Sequence, residues 1–168
     1  NLIGSITIFV DHPFEIDDYI LIPGMEGTVE EVGMRATRIR TPGQSLAYVP
    51  NGELSNMIID NWGLRIFRRW NLTIGVEYGT SPETIALFCQ RATENINSFD
   101  FIAKDKTLVQ LNELGASSLN IFAMIFINVP TYNEELECKH KILLNLISLA
   151  QEMNVEFAFP TQTLHLKK

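Results

Sequence analysis

The sequence predicts an α+β protein in two pieces, an all-β piece followed by a mixed αβ piece. Residues 13–61 contain short apolar runs separated by closely spaced turn residues, which is typical of a small barrel or open sheet. Residues 70–159 follow the order strand, helix, strand, strand, helix, strand, which is the split βαβ or ferredoxin-like arrangement. A length of 168 residues, with 46% hydrophobic and 20% charged residues, supplies enough apolar surface for a folded core.

The first ten residues, NLIGSITIFV, carry no charge, and the first ionisable side chain is Asp11. A membrane span needs about 20 apolar residues, so this run cannot cross a bilayer alone. The alternation from Ile6 to Val10 favours a strand. A buried helix and the last turns of a membrane helix are the alternatives, and periodicity does not decide among the three. The chain begins at Asn1 with no basic region before this run, so we expect no signal peptide and a longer parent protein.

Turn residues divide the all-β piece into four expected strands. The strands are 19–22, 28–32, 36–40 and 46–49. Pro23-Gly24 closes the first strand, and a bulge or bend is expected near Gly33. Turns are predicted at 41–44 and, sharply, at Pro50-Asn51-Gly52.

A composition change after Asn61 marks a junction between the pieces, with Trp62-Gly63 followed by basic residues. The αβ piece then opens on a strand over 70–78, whose alternate residues form one apolar face. Ser81-Pro82-Glu83 is a helix start, with serine as the N-cap and proline in the first turn. The apolar stripe of this helix consists of Ile85, Phe88, Cys89, Ala92 and Ile96.

Two further strands and a second helix complete the αβ piece. The strands are expected at 107–111 and 119–129, and Thr131 with Glu134 forms a capping-box pattern at the start of the helix. A short strand is expected at 157–159, with a further strand possible after Pro160. The buried side of the second helix is predicted to consist of Tyr132, Leu136, Leu143, Ile147, Ala150 and Met153.

One strand carries a functional indication. Both helices of a ferredoxin-like unit cover the same face of the sheet, so the other face stays open. On the strand at 119–129, Phe122, Met124 and Phe126 point to that open face. An exposed face this apolar predicts a subunit interface, and the alternative is that loops of the same chain cover it.

No catalytic, cofactor or metal site is predicted. The net charge of −7 and the pI near 4.9 argue against nucleic acid as a partner. Cys89 and Cys138 are expected to be reduced thiols. The acidic cluster at 15–18 reads as a solvated loop, because it lacks the length and the glycine of a calcium loop. Three histidines, His12, His140 and His165, are scattered without a second ligand at metal spacing.

Short motifs follow one another in a defined order from the first residue almost to the last. They are Asn1-Leu2, His12-Pro13-Phe14, Gly27-Thr28-Val29-Glu30-Glu31-Val32, Arg38-Ile39-Arg40-Thr41, Tyr48-Val49-Pro50-Asn51-Gly52, Ile74-Gly75-Val76-x-Tyr78, Leu111-Asn112-Glu113-Leu114-Gly115-Ala116-Ser117-Ser118 and Phe157-x-Phe159-Pro160-x-Gln162. Together they resemble the small-conductance mechanosensitive channel (MscS) family. The resemblance favours the truncated membrane helix among the three interpretations of the N-terminus.

The resemblance implies four segments. Residues 1–11 would be the end of a pore-lining transmembrane helix, and 12–62 an Sm-like β domain. Residues 63–160 would be a ferredoxin-like αβ domain, and 161–168 a C-terminal strand in a barrel shared between subunits. Seven copies would form a cytoplasmic vestibule beneath a multi-pass pore in the cell inner membrane. Tension in the bilayer, acting through upstream helices, would open the pore and release ions and small osmolytes during hypo-osmotic shock.

The same resemblance assigns site residues. The end of the pore helix and its hinge would include Asn1, Gly4 and Ser5. The turn Pro50, Asn51 and Gly52 would face the pore helix, the alternative being an ordinary tight turn. The barrel strand would consist of Thr161, Gln162, Thr163, Leu164, His165 and Leu166. Leu164 and Leu166 could instead pack under Phe157 and Phe159 of the same subunit.

Two positions depart from the family pattern. Where the family often has its flexible glycine, this chain has Ser5, and Gly4 precedes it. Where many members have an Asp-Gly turn, this chain has Gly43-Gln44, which alters the hairpin but not the architecture. The alternative function is a soluble oligomeric binding scaffold without conduction.

Overall fold

The computed structural model describes residues 13–160, and the chain divides into two compact units between Arg65 and Ile66. Each unit is built on its own antiparallel sheet, five-stranded in the first unit and three-stranded in the second. The prediction of a mixed α and β fold is therefore confirmed. None of the helices found in residues 13–160 combines the length and the apolar character that crossing a membrane requires.

The first unit is a sheet in the strand order β4-β3-β2-β1-β5. Its elements are β1 (Tyr19–Ile22), β2 (Met25–Val32), β3 (Ala36–Arg40), β4 (Leu46–Pro50), α1 (Asn51–Leu54), β5 (Asp60–Asn61) and a 3-10 turn (Trp62–Leu64). The four predicted strands are present, and β5 was not predicted because two residues leave no periodic pattern. β2 begins three residues earlier than predicted, since Met25 pairs with Ile22 across a two-residue turn in which Gly24 has a φ of 87°.

Two glycines in β2 and after it fix the β2–β3 hairpin. A side chain at Gly27 would lie 2.3 Å from the carbonyl oxygen of Arg40, so only glycine lets the strands approach here. Gly33 lies in the turn between the strands, where its amide donates to the carbonyl of Ala36 at 3.1 Å. The shift in pairing register lies elsewhere, between Val29 and Glu31.

The second unit contains two long helices and a sheet in the order β6-β8-β7. Its elements are β6 (Arg68–Val76), α2 (Pro82–Asn97), β7 (Leu108–Leu114), β8 (Leu119–Ile127) and α3 (Tyr132–Glu152). The strand predicted at 157–159 is reduced to a single bridge between Phe157 and Val76. The strand predicted at 70–78 ends at Val76, and Tyr78 is exposed, with its hydroxyl donating to the carbonyl of Gly115.

Local capping signals predicted both helix starts correctly. The Ser81 hydroxyl accepts from the amide of Thr84 at 3.2 Å at the start of α2. At the start of α3, Thr131 and Glu134 form a reciprocal capping box. The predicted stripe of α2 is buried as expected.

The predicted buried side of α3 is wrong over most of its length. Four of its six residues are exposed, namely Tyr132, Leu136, Leu143 and Ile147. The buried side instead consists of Glu135, Cys138, Ile142, Leu146, Leu149 and Ala150. Apolar residues cover a broad arc of α3, so periodicity alone cannot select the side that faces the sheet.

Candidate functional site

The candidate interface is one face of the second sheet, which we call the sheet face and define by Phe122, Met124 and Phe126 with their cross-strand neighbours. Alternate residues of β8 are fully or almost fully buried, whereas these three side chains are half-buried. The buried residues of β8 share one core cluster with the buried residues of both long helices. Both helices therefore cover one side of the sheet, and the sheet face lies on the other, as the sequence predicted.

Strand register defines the neighbours of the sheet face. Phe122 lies opposite Thr73 and Gln110, Met124 opposite Asn71 and Leu108, and Phe126 opposite Arg69. Directly opposed residues of an antiparallel pair share a face, so Leu108 extends the apolar centre and the other opposed side chains border it with polar groups. These polar neighbours, together with Lys106 near Phe126, leave the three apolar side chains only partly exposed.

One end of the sheet face is positively charged. The ammonium of Lys106 lies 5.0 Å from the ring centroid of Phe67 and 6.0 Å from that of Phe126. Arg69 flanks Phe126 on the other strand. Neither cation forms an ion pair with any residue in the described part of the chain.

The predicted sharp turn at 50–52 is the start of a short helix. Pro50 ends β4 and precedes α1, and Asn51 is completely buried. The Asn51 side chain accepts from the Thr37 hydroxyl at 2.9 Å and donates to the Gly33 carbonyl at 2.8 Å. The backbone amide of Asn51 donates to the carbonyl of Arg35 at 3.0 Å. Asn51 therefore ties α1 to β3 and to the β2–β3 turn.

Gly52 follows in the first turn of α1 and is half-buried. Its carbonyl accepts from the Ser55 hydroxyl at 3.1 Å and from the Asn56 side-chain amide at 2.7 Å. Side-chain hydrogen bonds from Asn51 before Gly52, and from Ser55 and Asn56 after it, therefore hold this segment in place.

Other predicted site residues lie outside the described residues. These are Asn1, Gly4 and Ser5 at the N-terminus, and Thr161, Gln162, Thr163, Leu164, His165 and Leu166 at the C-terminus. Their roles stay predictions.

A buried charge network links β6 to α3, and sequence reasoning missed it. Arg68 contacts Glu135 at 3.0 Å between Nη1 and Oε2, and it also donates to the carbonyls of Val129 and Pro130. Lys139 completes the network, with its Nζ 2.6 Å from Oε1 of Glu135. Burial raises the pKa of Glu135, but hydrogen bonds from Lys139 and Arg68 outweigh it and hold that pKa below its usual range. The only feature of the sequence that indicates this network is the spacing of four residues between Glu135 and Lys139, which suits an ion pair on one side of a helix.

Both cysteines and Asp18 have structural surroundings. Burial raises the pKa of both cysteine thiols, Cys89 and Cys138, which disfavours the reactive thiolate. Asp18, from the acidic loop, accepts from the Asn61 side chain at 2.7 Å and from the Glu15 amide at 2.9 Å. Within residues 13–160, no group of three or more histidine, cysteine or acidic side chains is arranged to hold a metal ion.

Comparison with known proteins agrees with these features. Residues 1–64 match the family described as mechanosensitive ion channel, beta-domain, and residues 70–157 match mechanosensitive ion channel MscS, C-terminal. The chain is 33% identical over 169 residues to the low conductance mechanosensitive channel YnaI of Escherichia coli, covering 99% of this chain and 49% of the relative. It is 36% identical over 172 residues to the small-conductance mechanosensitive channel MscMJ of Methanocaldococcus jannaschii, covering 100% of this chain and 48% of the relative. The chain thus spans about half the length of the curated relatives it matches.

Solved structures share the fold. The closed-state MscS of Helicobacter pylori superposes with a TM-score of 0.83 at 24% identity, covering 99% of this chain and 64% of that chain. Arabidopsis thaliana MSL1 gives a TM-score of 0.85 at 18% identity, covering 94% of this chain and 57% of that chain.

Proposed function

Because the chain belongs to the MscS family of mechanosensitive ion channels, we propose that it forms the vestibule and lower pore helix of a tension-gated channel. The channel releases ions and small osmolytes on hypo-osmotic shock. The main support for this proposal is that both family domains match in order, over 1–64 and 70–157, and that the chain divides into two compact units at nearly the same place. The relatives are named as channels, so the alternative of a binding scaffold without conduction is not favoured.

The finer architecture supports the same proposal. We assign the second unit to the ferredoxin-like arrangement, which the strand order β6-β8-β7 and the bridge between Phe157 and Val76 beside β6 support. We likewise assign the five-stranded first unit to the Sm-like domain, which its antiparallel strand order supports. In this proposal 1–11 is the end of the pore helix, 12–62 the β domain, 63–160 the αβ domain and 161–168 the barrel strand.

The partners follow from the channel function. The chain assembles with itself as a homoheptamer and contacts the bilayer of the cell inner membrane through upstream helices. It is not an enzyme, and its cargo is permeating ions and small osmolytes. Asn1, Gly4 and Ser5 end the pore helix, and α1 with Pro50 lies near that end. The side-chain hydrogen bonds of Asn51 hold α1 in place on the β domain. We therefore assign to Gly52, the next residue, the contact with the pore helix that forms in one state of the channel and breaks in another.

A chimera tests the proposal without knowledge of other parts of this protein. In the chimera, this chain replaces the segment of E. coli YnaI that it matches, and the rest of YnaI is kept. Cells that lack their own mechanosensitive channels and express the chimera are expected to survive a sudden drop in external osmolarity. The control expresses the YnaI part alone. Survival no better than that of the control, with the chimera present in the membrane as an assembly, would contradict the proposal.

A further inference from the structure

The side chain of Asn61 joins parts of the first unit that are far apart in the sequence. Its Nδ2 donates to the carbonyl of Pro13 at 3.2 Å, a contact that bridges 48 residues. The same Nδ2 donates to Oδ2 of Asp18 at 2.7 Å, and Oδ1 of Asn61 accepts from the amide of Gly63 at 2.9 Å. Both donor hydrogens and the acceptor oxygen of the side chain are therefore in use. We call these four residues the Asn61 clamp.

The partners of Asn61 are held by contacts of their own. Oδ2 of Asp18 also accepts from the amide of Glu15 at 2.9 Å, and the Asp18 amide donates to the Glu15 carbonyl at 3.2 Å. Gly63 lies so close to the Asp18 carboxylate that an added Cβ would clash with it, so glycine lets the 3-10 turn approach here. Phe14, next to Pro13, is buried in the apolar core of the first unit. The geometry of the clamp is therefore fixed from both sides.

The clamp joins the two ends of the first unit. Pro13 is the first described residue, and it follows the residues 1–11 that the proposed function assigns to the end of the pore helix. Asn61 is the last residue of β5, and the chain divides into its two units shortly after it, between Arg65 and Ile66. Along the backbone, four strands and α1 lie between Pro13 and β5. The clamp connects the same two points through one side chain.

This connection shortens the route that a pulling force takes through the first unit. Without the bond to Pro13, a pull on that residue reaches β5 through Phe14, the turn at 15–18 and the pairing of β1 with β5 at Ile20 and Asn61. With the bond, the pull passes from Pro13 to Asn61 and then along the 3-10 turn. Coupling between distant sites runs through such contiguous hydrogen-bond networks and the elements that they join.

We propose that Asn61 transmits the pull of the pore helix to the segment that continues into the second unit. Asn61 is then a positioning residue for gating. This inference rests on the proposed function, in which tension moves the pore helix, and it adds the route by which that movement reaches the rest of the chain. The role requires a side chain that donates and accepts at once, which an amide does and a carboxylate does not.

The exchange of Asp18→Asn with Asn61→Asp removes the donor to Pro13. It keeps the composition, the net charge and a hydrogen bond between positions 18 and 61, because the amide introduced at 18 can donate to the carboxylate introduced at 61. That carboxylate still accepts from the Gly63 amide, but it has no hydrogen for the Pro13 carbonyl. Asp18→Asn alone is the matched control, since its amide oxygen accepts as the carboxylate did and Asn61 still donates to Pro13.

Forced unfolding of single molecules tests the clamp directly. In the end-to-end geometry, handles at residues 1 and 168 hold the chain at constant force, so the pull on the described residues begins at Pro13. In the turn geometry, the first handle is moved to Gly43→Cys in the exposed turn between β3 and β4, so the load does not enter through Pro13. Cys89 and Cys138 are buried and do not compete for the handle.

The exchange is expected to unfold the first unit roughly five- to tenfold faster than the native chain in the end-to-end geometry, as the loss of one hydrogen bond does. The acceleration should be smaller in the turn geometry, and Asp18→Asn alone should match the native chain in both. Asn61→Ala, which also removes the donor, should show the same preference for the end-to-end geometry. A variant that is merely less stable unfolds faster in both geometries. Equal acceleration in the two geometries, or none, therefore overturns the proposal.

Current recordings of the YnaI chimera test the use of the clamp in gating. The exchange should lower the tension at half-maximal opening, because the pore helix then moves without pulling on the rest of the chain, whereas Asp18→Asn alone should leave that tension unchanged. A tension that the exchange leaves unchanged or raises overturns the role in gating. Forced unfolding does not depend on conduction. Faster end-to-end unfolding in a chain whose chimera passes no current would keep force transmission by Asn61 and reject the channel, and current with equal acceleration in both geometries would do the opposite.

Discussion

The guanidinium of Arg68 and the carboxylate of Glu135 form a buried ion pair across 67 residues of sequence, with Nη1 3.0 Å from Oε2. Arg68 begins β6 and Glu135 lies in the first turn of α3, so the pair joins the first strand of the second unit to its last helix. Because Arg68 also holds the carbonyls of Val129 and Pro130, it fixes the segment that leads into α3.

Replacing Arg68 with methionine is expected to destabilise the second unit by about 3 kcal/mol, because it leaves a buried carboxylate with Lys139 alone. The change is measured by urea unfolding, followed by Trp70 fluorescence in a Trp62→Phe background. Arg91→Met is the control, since the Arg91–Glu152 pair is exposed and should cost less than about 1 kcal/mol. If both variants lose the same free energy of unfolding, burial does not increase the contribution of the Arg68–Glu135 pair to stability.

The same pair predicts a pH dependence. The folded state holds the pKa of Glu135 below its usual value, so its contribution to stability is present above the unfolded pKa, about 4.3. That contribution is lost as the pH falls through the lower pKa of the folded state. The stability difference between the native chain and Glu135→Gln should therefore be constant above about pH 5 and shrink below about pH 4. A difference that stays constant down to pH 3 would show that Glu135 has an ordinary pKa.

How much the sequence predicted depends on whether the determining contacts are local. The helix starts at Ser81 and Thr131 were predicted because a cap involves only the next three residues. The buried side of α3 was predicted wrongly because the choice depends on packing against strands far along the chain. Arg68 and Glu135 could not be paired from sequence for the same reason.

The candidate site shows the same division. Alternation along β8 correctly assigned Phe122, Met124 and Phe126 to the side away from the helices, since a strand places alternate residues on opposite faces. Asn51 was assigned to a sharp turn from its residue type. Its buried bonds to Thr37 and Gly33, which hold it at the start of α1, depend on the hairpin between β2 and β3.

The turn between β3 and β4 holds Gln44 at a φ of 66°, a conformation that glycine adopts at lower cost. Exchanging the two residues, Gly43→Gln with Gln44→Gly, keeps the composition and should stabilise the first unit by about 1 kcal/mol. Urea unfolding followed by Trp62 fluorescence in a Trp70→Phe background measures the change. Gln44→Ala is the control and should be neutral within about 0.5 kcal/mol, because alanine keeps the unfavourable conformation. An exchange that destabilises the unit would contradict this account of the turn.

Asn51→Leu should destabilise the first unit by about 2–3 kcal/mol, because it leaves the buried Thr37 hydroxyl and the half-buried Gly33 carbonyl without these partners.

In contrast, Gly52→Val in the YnaI chimera should alter inactivation or closing more than unitary conductance. Patch-clamp recording measures both, with Ser55→Ala as a control in the same short helix segment. Unchanged kinetics in Gly52→Val would leave α1 a purely structural element.

Cutting the chain after Pro160 should leave both units folded, because the core clusters found among residues 13–160 already join the sheet of each unit to its packed elements. Assembly should weaken if residues 161–168 pair between subunits, since the intersubunit hydrogen bonds would be removed. Circular dichroism reports the fold, and light scattering across a denaturant series reports the assembly. Unfolding of the truncated monomer would instead assign the C-terminal residues to the αβ domain of their own subunit.

The most direct test of the channel function is a current recording under controlled tension. Membrane patches from cells expressing the YnaI chimera are stretched by increasing suction. We expect stepwise currents that begin above a threshold tension, and fewer such currents per patch when Phe122→Ser and Phe126→Ser weaken assembly. A chimera that reaches the membrane as an assembly and passes no current up to the tension at which the patch ruptures would contradict the channel function.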